Sequence, residues 1–125
     1  LRLLKTMNHV GVDLVEINRI ERAVSRWGEH FLRRVFTCSE IELCKGRIQS
    51  LAARMAAKEA AMKALGTGLC EVGWCDIEIL ADDEGRPIIN LWGGARTRAF
   101  SLGLRNWAIS LAHSREHAIA YVHAS

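Results

Sequence analysis

A glutamate and a lysine one helical turn apart, followed at once by two glycines, form the most chemically suggestive group in this 125-residue chain. They lie in RMAAKEAAMKALGTG, Arg54 to Gly68, where Glu59 and Lys63 share a helix face at i, i+4 and Gly66 and Gly68 close the run. A carboxylate can hold a cation or accept a proton, and an ammonium can neutralise phosphate oxygens. A main chain without Cβ atoms lets a phosphate approach closely. The combination suggests a phosphate site. A blander reading fits the segment taken alone: a Glu–Lys pair at this spacing is usually a solvated salt bridge worth a few tenths of a kcal/mol, and glycine after a helix is usually a cap. Upstream, Asp13 interrupts the β-branched apolar run HVGVDLV. Taken alone, such an acid is an edge-strand residue facing water or a cap for the helix that follows.

The elements that must position these groups are legible in the hydrophobic patterning. His9 to Val15 suits a short strand. Glu16 to Trp27 fits a helix with Ile17, Ile20 and Val24 inside and a basic stripe of Arg19, Arg22 and Arg26 outside. Thr37 followed by Glu40 is a capping-box pattern opening a short helix that ends at Gly46. Ile48 to Leu65 is a long helix whose seven alanines from Ala52 to Ala64 give high propensity and a smooth surface, open to close approach by another backbone or a flat ligand. Cys75 to Leu80 alternates as a half-buried strand, DDEGRP is a turn, and IINLW is its partner strand. A helix from Gly93 to about Leu102 and two strands, WAISLAH and EHAIAYV, complete the chain. The order β-α-α-α-β-β-α-β-β, with strands returning by short turns, predicts an α+β domain with a mostly antiparallel sheet. Residues 1–7 are set apart as an N-terminal extension, LRLLKT being read as leftover sequence before Met7, and one domain is expected over residues 8–125.

Composition bounds the function without choosing it. The net charge is only +3, but residues 1–65 hold twelve basic and seven acidic side chains while residues 66–125 hold five and seven. The basic half therefore favours an anionic partner. Cys38, Cys44, Cys70 and Cys75 show no C-x-x-C spacing, which argues against a zinc knuckle or a secreted disulfide framework; they read as buried or half-buried thiols in a reducing, cytoplasmic setting. No apolar stretch approaches a membrane span. Trp27, Trp74, Trp92 and Trp107 are scattered rather than interleaved with basic clusters, which suits core or subunit contacts better than base stacking.

Six motifs occur in order: G-V-D-L-V-x-I-x-R-I (Gly11 to Ile20), F-T-x-x-E (Phe36 to Glu40), R-x-A-A-K-E-A-x-x-K-A-x-G-T-G (Arg54 to Gly68), D-I-E-I (Asp76 to Ile79), G-R-P (Gly85 to Pro87) and H-S-x-x-x-A-x-A (His113 to Ala120). On these the chain, over about residues 8–123, resembles the holo-acyl-carrier-protein synthases, the short class of 4'-phosphopantetheinyl transferases. The resemblance implies that family's fold as a single module, a mostly antiparallel sheet packed against a long central helix. It implies transfer of the 4'-phosphopantetheine arm of coenzyme A to a serine of apo acyl carrier protein, with adenosine 3',5'-bisphosphate leaving, in fatty acid biosynthesis. It also implies Mg²⁺ held by Asp13 and Glu59, with Lys63 neutralising the phosphates and the leaving group.

Attack on the β-phosphate of a diphosphate builds charge on equatorial and leaving oxygens, so such an enzyme needs a cation clamp more than a nucleophile of its own. Glu59, or a water beside it, is the candidate proton acceptor. By the same resemblance Gly66, Gly68, Pro87 and His113 approach the coenzyme, and Arg19, Arg22 and Arg26 meet the acidic second helix of the carrier. His113 is read with almost equal weight as a strand histidine hydrogen-bonded in or near the core. His113 and His117 are not a zinc pair, because a turn separates them. Cys38 stands where relatives commonly have proline, and Ala112 where many have a serine that could orient the histidine. The implied assembly is a homotrimer with sites between subunits. Two rivals remain: a nucleic-acid module using the basic helix, disfavoured by the modest net charge, and a non-catalytic module that binds coenzyme A or a carrier protein without turnover.

Overall fold

The computed structural model describes residues 7–125, so the LRLLKT segment set apart above lies outside the described residues. The elements are β1 (His9–Glu16), α1 (Ile17–Trp27), α2 (Glu29–Val35), α3 (Cys38–Cys44), α4 (Ile48–Leu65), a 3₁₀ turn (Trp74–Asp76), β2 (Ile77–Ala81), β3 (Pro87–Leu91), α5 (Gly93–Leu102), β4 (Trp107–His113) and β5 (His117–Ala124). Two antiparallel sheets result, one in the order β1-β5-β4 and one the hairpin β2-β3. The architecture is the expected α+β one. It differs in having two sheets rather than one and an additional helix, α2, which EHFLRRV did not announce. That helix is short and follows Gly28, which turns the chain at a positive φ (54°), with Val35 its buried residue. The strand expected from Cys75 begins two residues later, because Asp76 turns its carboxylate back to Gly73 N (3.0 Å) and tightens the chain into the 3₁₀ turn.

Helix α4 is the centre of the molecule. It packs against β1, β5, α1, α3, β2, β4 and α5, and twelve of its eighteen residues are buried, so it is apolar almost all round rather than on one stripe. Burying each of Leu51, Met55, Met62 and Leu65 contributes about 1.5–3 kcal/mol. The alanines do something different, admitting a strand almost onto the helix backbone. A Cβ at Gly11 of β1 would stand 1.8 Å from the Ala60 carbonyl oxygen and 3.1 Å from Ala64 N. Only glycine allows that approach, and it sets Asp13, two residues on, against the face of α4 that carries Lys63.

The Thr37 capping box forms with both bonds, Glu40 N to Thr37 Oγ1 (3.2 Å) and Thr37 N to Glu40 Oε1 (2.9 Å). On the far side of the three-stranded sheet from α4, Val10, Val12, Leu14, Ile119 and Tyr121 are exposed and form an apolar face. Cys38 and Cys70 are exposed, contrary to the expectation of buried or half-buried thiols, whereas Cys44 is buried and Cys75 half-buried. Among the tryptophans, Trp74 and Trp107 pack against the core, while Trp27 and Trp92 are about half exposed. No described helix is long and apolar enough to cross a membrane.

Candidate functional site

Asp13 lies on an edge strand, but it neither faces open water nor caps α1. Its side chain is only 13% exposed, and the cap position of α1 is Glu16, which makes no side-chain cap bond. The carboxylate instead meets α4. Lys63 Nζ donates to Asp13 Oδ1 (3.0 Å) and to the Val12 carbonyl (3.0 Å), so this lysine pairs across two elements rather than with Glu59 on its own helix. Asp13 Oδ2 is buried with no hydrogen-bond partner among the described residues. An orphaned carboxylate oxygen is costly to bury and calls for a donor or a cation.

Glu59 faces the same point. Burial first, then the hydrogen bond that its protonated form can donate to Asp13 and the repulsion of the Asp13 charge, push its carboxyl up to about 7, against the opposing pull of Arg19 and Lys63. Two carboxyls within hydrogen-bonding reach cannot both ionise cheaply. A proton on Glu59 supplies the donor that Asp13 Oδ2 lacks; a divalent cation between them would satisfy both. Mg²⁺ commonly takes one or two protein carboxylates and completes its shell with phosphate and water, which fits this donor set. Among the described residues no larger group of His, Cys, Asp and Glu is placed to hold a metal.

The remaining predicted residues distribute unevenly around this pair. Gly66 ends α4 in the left-handed conformation (φ 68°), while Thr67 N bonds the Met62 carbonyl (3.0 Å), so Gly66 is a true helix cap. Gly68 is exposed, needs no positive φ, and has open space where a Cβ would stand, so neither packing nor backbone conformation accounts for it. His113 is exposed at the end of β4, paired in register with Ala118, which corrects its reading as a histidine in or near the core. The turn between His113 and His117 forms, with Ser114 N donating to the His117 carbonyl (2.8 Å). Pro87 begins β3 in a separate cleft lined by Arg86, Ile89, Arg105, Trp107 and Ile109 among others; Asp13, Glu59 and Lys63 do not line that cleft. Arg19, Arg22 and Arg26 are exposed on α1 and form no ion pair among the described residues, and Arg26 stacks over Trp27 at 5.0 Å. Arg19 is also close enough to act on Glu59. The stripe runs toward an apolar groove lined by Trp27, Phe31, Val35, Met55 and Trp74, with His30 and Arg34 contributing polar edges.

Sequence reasoning passed over Lys58 and treated Glu40 only as a helix cap. Lys58 is fully buried, with Nζ 2.7 Å from Glu40 Oε1 and 3.0 Å from the Trp74 carbonyl, a third bond to the Ile77 carbonyl, and the Phe36 ring 5.6 Å away. The signal was present in the spacing, because Lys58 lies three residues after Met55 and four before Met62, on a buried helix face.

Comparison with known proteins agrees with the geometry. A family model described as the 4'-phosphopantetheinyl transferase superfamily matches residues 9–122. A holo-[acyl-carrier-protein] synthase of Herpetosiphon aurantiacus is 54% identical over 119 residues, covering 90% of this chain and 94% of its own. One from Dehalococcoides mccartyi is 51% identical over 116 residues, covering 93% and 97%. The crystal structure of the Helicobacter pylori holo-[acyl-carrier-protein] synthase in complex with coenzyme A superposes with a TM-score of 0.85 at 36% identity, covering 93% of this chain and 99% of that one.

Proposed function

We infer the reaction from one premise: this chain belongs to the 4'-phosphopantetheinyl transferase superfamily. It transfers the 4'-phosphopantetheine arm of coenzyme A to a serine of an acyl carrier protein, the activity of a holo-acyl-carrier-protein synthase. We assign the reaction to the Asp13–Glu59–Lys63 group, and the observation that carries the assignment is the buried Asp13 Oδ2, which no described donor reaches although Lys63 Nζ holds the other oxygen of the same carboxylate.

In this reading Asp13 and Glu59 hold Mg²⁺, which when bound polarises the diphosphate and neutralises its charge. Lys63 is shared between Asp13 and the Val12 carbonyl and is 58% exposed, so it can turn toward the leaving phosphate without unburying a charge. Glu59, beside the group it would help to hold, is placed to accept the serine proton, directly or through a water it orients. Gly68, open where a side chain would stand, leaves room for coenzyme phosphates beside the end of α4, and exposed His113 is free to contact the coenzyme. Pro87 lines a cleft whose lining does not include Asp13, Glu59 or Lys63, and we read its contact with the coenzyme as one made across a boundary between subunits. The apolar sheet face of Val10, Val12, Leu14, Ile119 and Tyr121 supports such an assembly, read here as a homotrimer. Arg19, Arg22 and Arg26 offer an acidic carrier helix a cationic track, and the groove at the end of α1 offers its apolar side chains a seat. We take residues 8–125 as one transferase module acting in the cytoplasm on the carrier of fatty acid synthesis.

Incubation with coenzyme A, Mg²⁺ and a purified apo carrier, followed by intact mass of the carrier, tests the reading. A gain of one phosphopantetheine, abolished by Glu59→Ala and by a chelator, is expected. Binding of coenzyme A and carrier without any mass gain would favour the non-catalytic binding module instead.

A further inference from the structure

The residue before Glu59 points the other way. Lys58 spends all three donors of its ammonium on Glu40, the Trp74 carbonyl and the Ile77 carbonyl, and Glu40 in turn accepts from Thr37 N (2.9 Å) and Ile79 N (2.8 Å). Beside it, Glu78 accepts from Thr37 Oγ1 (2.6 Å), Asn90 Nδ2 (3.3 Å) and Trp92 Nε1 (3.3 Å). Burial pushes the Lys58 ammonium below the usual lysine range against the opposing pull of Glu40. A buried ion pair adds little net stability over well-packed apolar side chains, but its directed bonds fix the positions of the groups it joins.

Those groups bracket the loop from Gly66 to Gly73. Its upstream end is tied by Thr67 N to the Met62 carbonyl (3.0 Å) and by Arg98 Nε to the Leu65 carbonyl (3.0 Å). Its downstream end runs into Trp74 and Ile77, whose carbonyls Lys58 holds. Between the two ends Gly68, Leu69, Cys70 and Glu71 are exposed and Val72 is the one buried side chain. We propose that the Lys58–Glu40 pair is a positioning device for coenzyme binding: it pins the downstream end of the Gly66–Gly73 loop to the same helix that carries Glu59 and Lys63. This rests on the reading of the loop as a coenzyme contact. The pair sets the distance between the loop and the carboxylates, touches no substrate itself, and acts by keeping the loop ordered before the coenzyme arrives.

The test is steady-state kinetics on Lys58→Met and the milder Glu40→Gln, with amide exchange of the loop and with Gly68→Val as a separate probe of the loop's contact. Loss of preordering predicts a rise in KM for coenzyme A of about tenfold in Lys58→Met and less in Glu40→Gln, with kcat and the carrier KM within about twofold. Amides of residues 67–72 exchange faster while those of residues 55–62 stay protected. Should Lys58→Met fail to fold, Glu40→Gln, which leaves Lys58 its two carbonyl partners, carries the test. Unchanged coenzyme KM in a folded variant, with Gly68→Val impaired, overturns the positioning role alone. Unchanged coenzyme affinity in Gly68→Val overturns the loop reading and the proposal with it.

Discussion

Lys58 and Glu59 are neighbours in sequence and opposites in environment. Lys58 sits in a closed cluster in which the ammonium and its partner carboxylate are fully buried and each is bonded to several groups. Glu59 sits in an open cluster with Asp13 and Lys63, where two carboxyls crowd one another, one oxygen has no partner among the described residues and the lysine is largely exposed. The closed cluster is complete within the chain; the open one is complete only with a proton, a cation or a phosphate added. Charge that is fully satisfied fixes structure, and charge left unsatisfied at the rim of the same helix is where chemistry can be done.

If that contrast holds, the two clusters break differently. The largest effect expected is on catalysis: Glu59→Ala should lower transfer about 10²–10⁴-fold, read by carrier mass, with no loss of thermal stability. An equal loss of stability would erase the distinction. On the closed side Glu40→Ala leaves Lys58 charged and buried without its carboxylate, and should cost about 3–5 kcal/mol in denaturant unfolding. Gly11→Ala tests the link between them, since its methyl must push β1 off α4; about 1–3 kcal/mol of destabilisation is expected, together with a fall in activity because Asp13 moves with the strand.

A smaller effect concerns pH. The folded value of Glu59, about 7, lies above its ordinary 4.5, so its stabilising contribution is present below pH 4.5 and is lost as pH rises through about 7. Glu59→Gln removes that dependence. In metal-free buffer the variant's melting temperature should gain on the wild type between pH 5 and pH 8, by the equivalent of about 1 kcal/mol once solvent screening is allowed for. A difference that stays constant over that range would mean that burial and the neighbouring Asp13 do not hold Glu59 protonated.

The open cluster was more legible than the closed one. Asp13 inside an apolar run and the Glu59–Lys63 spacing drew attention because their residue types conflict with, or exceed, what a strand or helix needs. The alanine run also announced a close backbone approach, and Gly11 on Ala60 is that approach. Lys58 was hidden because a lysine beside a glutamate on a helix reads as solvated surface, and its partner Glu40 lies eighteen residues away doing a second job as a helix cap. Helix α2 was missed because seven residues give too few periods to register and, unlike the equally short α3, no capping box announces it. Pro87 could be matched by motif, but its separation from the carboxylates depends on tertiary placement.

The most direct test of the central claim is a calorimetric titration of coenzyme A into the protein with and without Mg²⁺, repeated on Asp13→Asn. Mg²⁺ is expected to tighten coenzyme binding to the wild type, and the gain is expected to disappear in the variant. Equal affinities with and without Mg²⁺ in the wild type would contradict it, leaving the Asp13–Glu59 pair without the cation that its orphaned oxygen calls for.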